Sequence, residues 1–136
     1  MRAVIDTGVL VSALICCHGT TGDVLQALRD GRFTCVYSTV MLVEIVDELG
    51  STFFRHKYHI QPDDTAALIN LLRLRGHMVT PRRAITICRD PKDKIFLEAA
   101  AAGEVDYIVS VDADLLILSP FENIPILRPA EFLMLL

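Results

Sequence analysis

Ala3-Val4-Ile5-Asp6-Thr7-Gly8-Val9-Leu10-Val11-Ser12-Ala13-Leu14-Ile15 opens the chain with a β-branched run that ends in an acid and then continues largely apolar. Val4 and Ile5 suit a pleated strand, and the stretch 9–15 is long enough for two helical turns, so a strand passing straight into a helix is expected. That is how α/β folds begin.

The alternation continues downstream. Residues 23–30 have helical spacing and stop at Gly31, after which 33–37 has strand composition. Ser38 can cap a helix over 39–49 closed by Gly50, and Pro62 opens another over 63–75 closed by Gly76. Between them, 51–58 carries Phe53, Phe54 and Tyr58 and reads as a short helix. Segments 77–80 and 84–88 read as extended pieces around Pro81. Asp90 as N-cap and Pro91 at the first helical position start a helix that runs to Ala102 and ends at Gly103. A buried strand over 107–111, a short helix within 113–118, an edge strand over 124–127 and a terminal helix over 129–136 complete the reading. Strands alternating with helices predict a parallel sheet covered on both faces. The expected architecture is a three-layer α/β/α domain with a central, mostly parallel sheet of four to five strands.

With 136 residues the chain is sized for one domain, residues 1–136, burying roughly two-thirds of its unfolded surface. Apolar residues make up 52% and charged residues 22%, which excludes disordered, collagen-like and coiled-coil classes. Thirteen basic residues against 17 acidic ones leave a net charge of -4, so any nucleic-acid site must be a local patch. The longest uncharged stretch, 7–22, contains three Gly and His18 and falls short of the ~20 apolar residues a membrane span needs. No signal-peptide pattern is read at the start, and a cytoplasmic location without membrane contact is expected. Cys16, Cys17, Cys35 and Cys88 lack zinc-site spacing and are read as small core residues in a reducing compartment.

In open α/β sheets, ligands bind outside the carboxyl ends of the strands. The acids of this chain fall there: Asp6 ends the first strand, Asp112 and Asp114 follow the strand 107–111, and Asp90 and Asp93 open the helix after Cys88. Glu44 and Glu48, four residues apart with Asp47 between them, form a polar stripe on the helix 40–49. Most of these have an ordinary structural use. Asp90 serves first as an N-cap, Asp93 as a first-turn acid, Asp114 as a turn residue, and Asp47 and Glu48 as a solvated face. Asp6 differs, because an acid between Ile5 and Val9 needs a partner to stay ionised. No basic residue nearby in sequence neutralises Asp6, Glu44, Asp93 and Asp112 together, whereas a divalent cation would. Oxygen-only ligands suit Mg²⁺ or Mn²⁺, and such a cluster fits phosphodiester hydrolysis.

Four ordered blocks carry a family resemblance: Val4-Ile5-Asp6-Thr7; Ser38-x5-Glu44; Arg89-Asp90-Pro91-Lys92-Asp93-Lys94-x2-Leu97-Glu98-x-Ala100; and Ile108-Val109-Ser110-Val111-Asp112-Ala113-Asp114-Leu115-Leu116. Together they resemble the PIN domain family, and most of all the VapC-like toxin components of bacterial and archaeal toxin-antitoxin pairs. The resemblance extends to the ending Ile126-Leu127-x-Pro129-x-Glu131-Phe132-Leu133. It implies a Mg²⁺- or Mn²⁺-dependent ribonuclease in which Asp6, Glu44, Asp93 and Asp112 match the four acidic metal-site positions and Asp114 is an occasional ligand. Thr7, Asp90 and Ser110 would support the site, Ser110 by orienting a carboxylate or water. An RNA substrate, a cognate antitoxin protein and a homodimer are implied partners. One position departs from the family, which usually has Asn two residues after the first Asp where this chain has Gly8. The alternative is a catalytically weak PIN-like module that acts by binding RNA or protein, with Gly8 as its mark; the four retained acids favour the enzyme.

Seven of the 13 basic residues lie between 73 and 94, and Arg55, His56, Lys57 and His59 form a second cluster. These are candidates to line an RNA groove, with Arg89, Lys92 and Lys94 nearest the acidic blocks and offering phosphate contacts that position without specifying. None of the four His falls in an acidic block, so histidine catalysis is not expected. A P-loop, a G-x-G-x-x-G turn and a G-x-S-x-G elbow are absent. The helices 9–15 and 63–75 and the end 132–136 are expected to leave apolar surface uncovered, as a homodimer would use.

Overall fold

The structure, a computed structural model, describes residues 1–16, 18–88 and 90–136. Five strands form one sheet: β1 (Arg2–Ile5), β2 (Thr34–Tyr37), β3 (Gly76–Met78), β4 (Tyr107–Val109) and β5 (Ile126–Leu127). Their order is β3-β2-β1-β4-β5 and every pairing is parallel, with Ala3 opposite both Cys35 and Tyr107. The helices are α1 (Thr7–Ile15), α2 (Thr20–Arg29), α3 (Thr39–Leu49), α4 (Thr52–Tyr58), α5 (Pro62–Arg75), α6 (Lys94–Gly103), α7 (Ala113–Leu116) and α8 (Pro129–Leu133).

Strand order and handedness place the layers. From β1 through β2 to β3 the chain steps in one direction across the sheet, and the next connection carries it back past β1 to β4. Because parallel crossovers are right-handed, the helices before β3 cover one face and α6 the opposite face. The reversal falls between β1 and β4. Fully buried Val4, Ile5, Leu28, Ile45, Leu97, Ile108 and Phe132 make the core on both sides, as the three-layer expectation requires. Phe132 of α8 packs edge-on against Phe33, with ring centres 5.0 Å apart. Among the described residues, no single helix is long and apolar enough to cross a membrane.

The capping reads directly from sequence. Ser38 accepts from Met41 N at 3.4 Å to open α3, and Ser51 accepts from Phe54 N at 3.4 Å to open α4. Several expected boundaries are corrected. Segment 84–88 forms no strand; the Ile85 amide goes to Glu98 Oε1 at 3.4 Å instead of a sheet neighbour. The strand expected over 107–111 stops at Val109, and the edge strand expected over 124–127 is only Ile126–Leu127, since Pro125 has no amide to donate. The helix after Asp90 begins with a 3₁₀ turn, Pro91–Asp93. The short helix expected within 113–118 is Ala113–Leu116, whereas the terminal helix expected to run to 136 ends at Leu133, followed by tighter bonds from Leu135 and Leu136 to carbonyls three residues back.

Two expectations about exposure also change. Cys35 is buried and Cys88 half-buried, but Cys16 is exposed, with its thiol donating to the His18 carbonyl at 3.2 Å; Cys17 lies outside the described residues. The face of α1 is largely covered, with Val9, Leu10, Val11 and Ala13 in the core. Open apolar surface includes a groove between α1, α2 and α5 lined by Leu14, Leu25, Leu71 and Leu74, and, as expected for the end of the chain, exposed Met134 and Leu135.

Candidate active site

The switch between β1 and β4 is built by three residues. Asp6 leaves β1 with extended backbone and caps α1, its Oδ1 accepting from Val9 N at 2.9 Å while its own amide donates to Val109 O at 3.0 Å. Its Oδ2 accepts from the Ser110 hydroxyl. Ser110 is fully buried and its Oγ also accepts from Asp112 N at 2.9 Å, so the ends of β1 and β4 are tied through one hydroxyl. Asp112 then caps α7 by accepting from Asp114 N at 2.9 Å. Asp6 is 3% exposed. Burial raises its carboxyl above the usual range, and the Asp112 charge adds to this, while Ser110 and the Val9 amide partly offset it.

Asp93 arrives from the other side of the crevice. Asp90 caps the 3₁₀ turn by accepting from Lys92 N at 3.0 Å, and the Asp93 amide donates to Asp90 O at 3.0 Å, which swings the Asp93 side chain inward. It is buried, and its Oδ2 has no hydrogen-bond partner. Burial, a hydrogen bond shared with Asp112 and the charges of Asp112, Asp90 and Asp114 push its carboxyl up to about 7. Asp93, Asp112 and Asp114 each present an oxygen, all within 4.8 Å of one another.

The opposite wall comes from α3. Glu44 is half-buried, with Oε2 enclosed and unpaired. Its carboxyl is raised by burial first, then by the charges of Glu48 and Asp6, and this is partly offset by the Thr7 hydroxyl and Lys92. The Thr7 hydroxyl lies close enough to favour the charged form but closes no hydrogen bond. Glu48 is raised by burial and by Asp6, and lowered by Lys92. All these groups face one cavity of about 840 Å³, lined among others by Asp6, Thr7, Glu44, Glu48, Asp93 and Asp112.

The structure therefore gathers Asp6, Glu44, Asp93 and Asp112 around one crevice, with Asp114 in the tight group, Thr7 and Asp90 in the walls and Ser110 behind. Two sequence readings are corrected. Asp47 and Glu48 are not merely a solvated face, since both line the cavity; the four-residue spacing from Glu44 was the available signal. A basic residue does stand nearby, because Lys92 lines the same cavity, although the carboxyls it faces remain raised. The basic run 73–94 does not form one groove. Lys94 is exposed at the start of α6, Arg82 and Arg83 line a different cavity where Arg83 pairs with Glu122, and Arg89 lies outside the described residues. Among the described residues, no His lines the acidic cavity.

Enclosed, unpaired oxygens on Glu44 and Asp93 amid several acids are what a hard cation with oxygen ligands requires, so this donor set fits a divalent ion. Similarity to known proteins agrees with the geometry. The fold matches a chain of VapBC2 from Rickettsia felis, solved bound to a DNA fragment from their promoter, with TM-score 0.61, 12% identity, and coverage of 94% of this chain and 98% of that one; the likeness is one of fold. No curated protein matches the sequence. The PIN domain family model matches residues 2–114, a span that runs from β1 to the last acid of the cluster, and the chain belongs to the PIN domain family.

Proposed function

We propose that this chain is a Mg²⁺- or Mn²⁺-dependent ribonuclease and the toxin of a toxin-antitoxin pair. The observation that carries the reading is the crevice at the β1/β4 switch, where Asp93, Asp112 and Asp114 converge within 4.8 Å and Asp6 and Glu44 line the same cavity. Asp6, Glu44, Asp93 and Asp112 would hold the ion, with Asp114 beside them. A divalent ion bound there lowers the pKa of an attacking water and stabilises the leaving oxygen of a phosphodiester.

The chain's own groups prepare the site. Ser110 fixes Asp6 and the Asp112 backbone in register. Burial and the neighbouring acids push the Asp93 carboxyl up to about 7, so a cation bound there would compete with the proton that Asp93 holds below that pH. Lys92 brings an ammonium to the rim, suited to a phosphate of the RNA strand. Family membership supports nuclease chemistry, and the fold shared with a VapBC2 chain supports an antitoxin protein as partner. A homodimer is proposed on the open leucine-lined groove between α1, α2 and α5; light scattering at tens of micromolar, the range of weak dimers, tests it.

The test of the function is cleavage of a mixed RNA panel by the purified chain freed of any partner, in Mn²⁺ and in chelator. Cleavage in Mn²⁺ alone, lost in Asp112→Asn, is expected. Equal cleavage in chelator, or none by the parent in Mn²⁺, would contradict the reading.

A further inference from the structure

Helix α4, Thr-Phe-Phe-Arg-His-Lys-Tyr over Thr52–Tyr58, divides its aromatic residues between two faces. Phe54 and Tyr58, four residues apart, pack against the core with ring centres 5.5 Å apart. Phe53 and Lys57, also four apart, turn outward. Phe53 is 60% exposed, and the Lys57 ammonium stands 5.2 Å from its ring centre and 5.3 Å from that of Tyr58. His56, three residues after Phe53, shares that outer face, and Arg55 flanks it. No residue of α4 is fully buried, so this display is not a by-product of core packing.

Charge decides which partner fits. In a chain of net charge -4, no Asp or Glu occurs between Glu48 and Asp63, and Arg55 and Lys57 make the segment positive. A flat exposed ring framed by cations is the arrangement that binds single-stranded nucleic acid, the ring stacking on a base while the cations meet phosphates. The position is apt, because α3 carries Glu44 and Glu48 into the acidic cavity and ends at Leu49, three residues before α4 begins.

We propose that α4 is a stacking platform for single-stranded RNA, with Phe53 as the base-stacking ring and Lys57 and Arg55 as phosphate contacts that guide the strand toward the acidic crevice. The proposal rests on the ribonuclease reading for its substrate class.

The experiment is fluorescence anisotropy of a labelled 12-nucleotide single-stranded RNA in chelator, which reads binding apart from cleavage, for the parent and for Phe53→Ala, Phe53→Leu, Phe53→Trp and Lys57→Gln. Because Phe53 is largely exposed, its variants should keep the parent's melting temperature. Phe53→Ala and Phe53→Leu should weaken binding roughly tenfold with an unchanged salt slope, while Phe53→Trp binds at least as well as the parent. Lys57→Gln should flatten the plot of log Kd against log salt by about 0.7, the loss of one phosphate contact to a single strand. Binding that is indifferent to all four changes, or that Phe53→Leu retains in full, would overturn the platform; the second result would mark an apolar protein-docking face instead. Parent cleavage in Mn²⁺ is measured beside it. Cleavage with binding indifferent to Phe53 overturns the platform alone, and Phe53-dependent binding without cleavage overturns the ribonuclease reading alone.

Discussion

Ser110 donates its hydroxyl hydrogen to Asp6 Oδ2 across 104 positions of chain, and the same oxygen accepts from Asp112 N at 2.9 Å. One small side chain thus joins two strand ends and aims two acids into one crevice. Ser110→Ala removes the donor that favours ionised Asp6 and leaves the Asp112 amide unpaired. We expect a loss of about 1–3 kcal/mol in unfolding free energy. Mn²⁺ binding by calorimetry should also weaken, and Ser110→Thr should restore part of both. An unchanged Mn²⁺ affinity would reduce Ser110 to packing.

Acid strength gives a pH signature. Asp93 is pushed from 3.8 to about 7 in the folded chain, so between those values the folded state holds a proton the unfolded state has released. More protons bound to the folded state means stability falls as pH rises through that window. In chelator, the Asp93 contribution should lower the melting temperature from about pH 4 to about pH 7, and Asp93→Asn should flatten that slope. The Mn²⁺-induced gain should grow over the same range, because the ion competes with the proton. Melts across pH with and without Mn²⁺ check both signs.

Glu48 tests a residue that pattern alone undervalued. Its charge raises the Glu44 carboxyl, so Glu48→Gln should let Glu44 ionise more readily and leave the metal-free chain as stable or more so. If Glu48 also helps hold the ion, the same change weakens Mn²⁺ binding several-fold, by roughly 1 kcal/mol or less. Titration calorimetry of the variant separates repulsion alone from ligation.

What was legible in the sequence was local. Ser38 and Asp90 announce helix starts because capping depends only on the next few amides, whereas Asp6 was legible as an acid at a strand end but not as the cap that starts α1 at Thr7. Contacts set by sheet order were hidden. Lys92 and Glu48 meet the same acids only because the chain reverses direction across the sheet after β3, while Arg82 and Arg83, about ten residues before Lys92, are carried to another cavity beside Glu122. The extended segment at 84–88, whose Ile85 amide goes to Glu98, was misread for the same reason, since strand composition cannot reveal whether a strand neighbour is present to accept the amides.

Gly8 separates conformation from chemistry. Its backbone is not in the left-handed region, so a side chain is allowed, although a Cβ there would stand 3.1 Å from Asp6 Oδ1. The Asp6 carboxylate must shift slightly to admit it. Gly8→Asn, which restores the residue usual in the family, should raise metal-dependent turnover, whereas Gly8→Ala, which adds the same Cβ without the amide, should give no such gain. Turnover unaltered by Asn, with an unchanged circular dichroism spectrum, would show that glycine at this position is neutral.

Asp6 bears the central claim, since it both caps α1 and faces the acids. In Asp6→Asn, Oδ1 can still accept from Val9 N, while one charge leaves a crowded crevice. The deciding measurement is the thermal melt of parent and Asp6→Asn in chelator and in saturating Mn²⁺, because an ion bound only to the folded chain raises its stability by mass action. The account predicts that the variant melts at or near the parent in chelator, gains little from Mn²⁺ and cleaves no RNA. A variant that melts well below the parent in chelator yet gains the parent's full shift from Mn²⁺ would make Asp6 a structural cap, and would contradict the metal-dependent nuclease built around it.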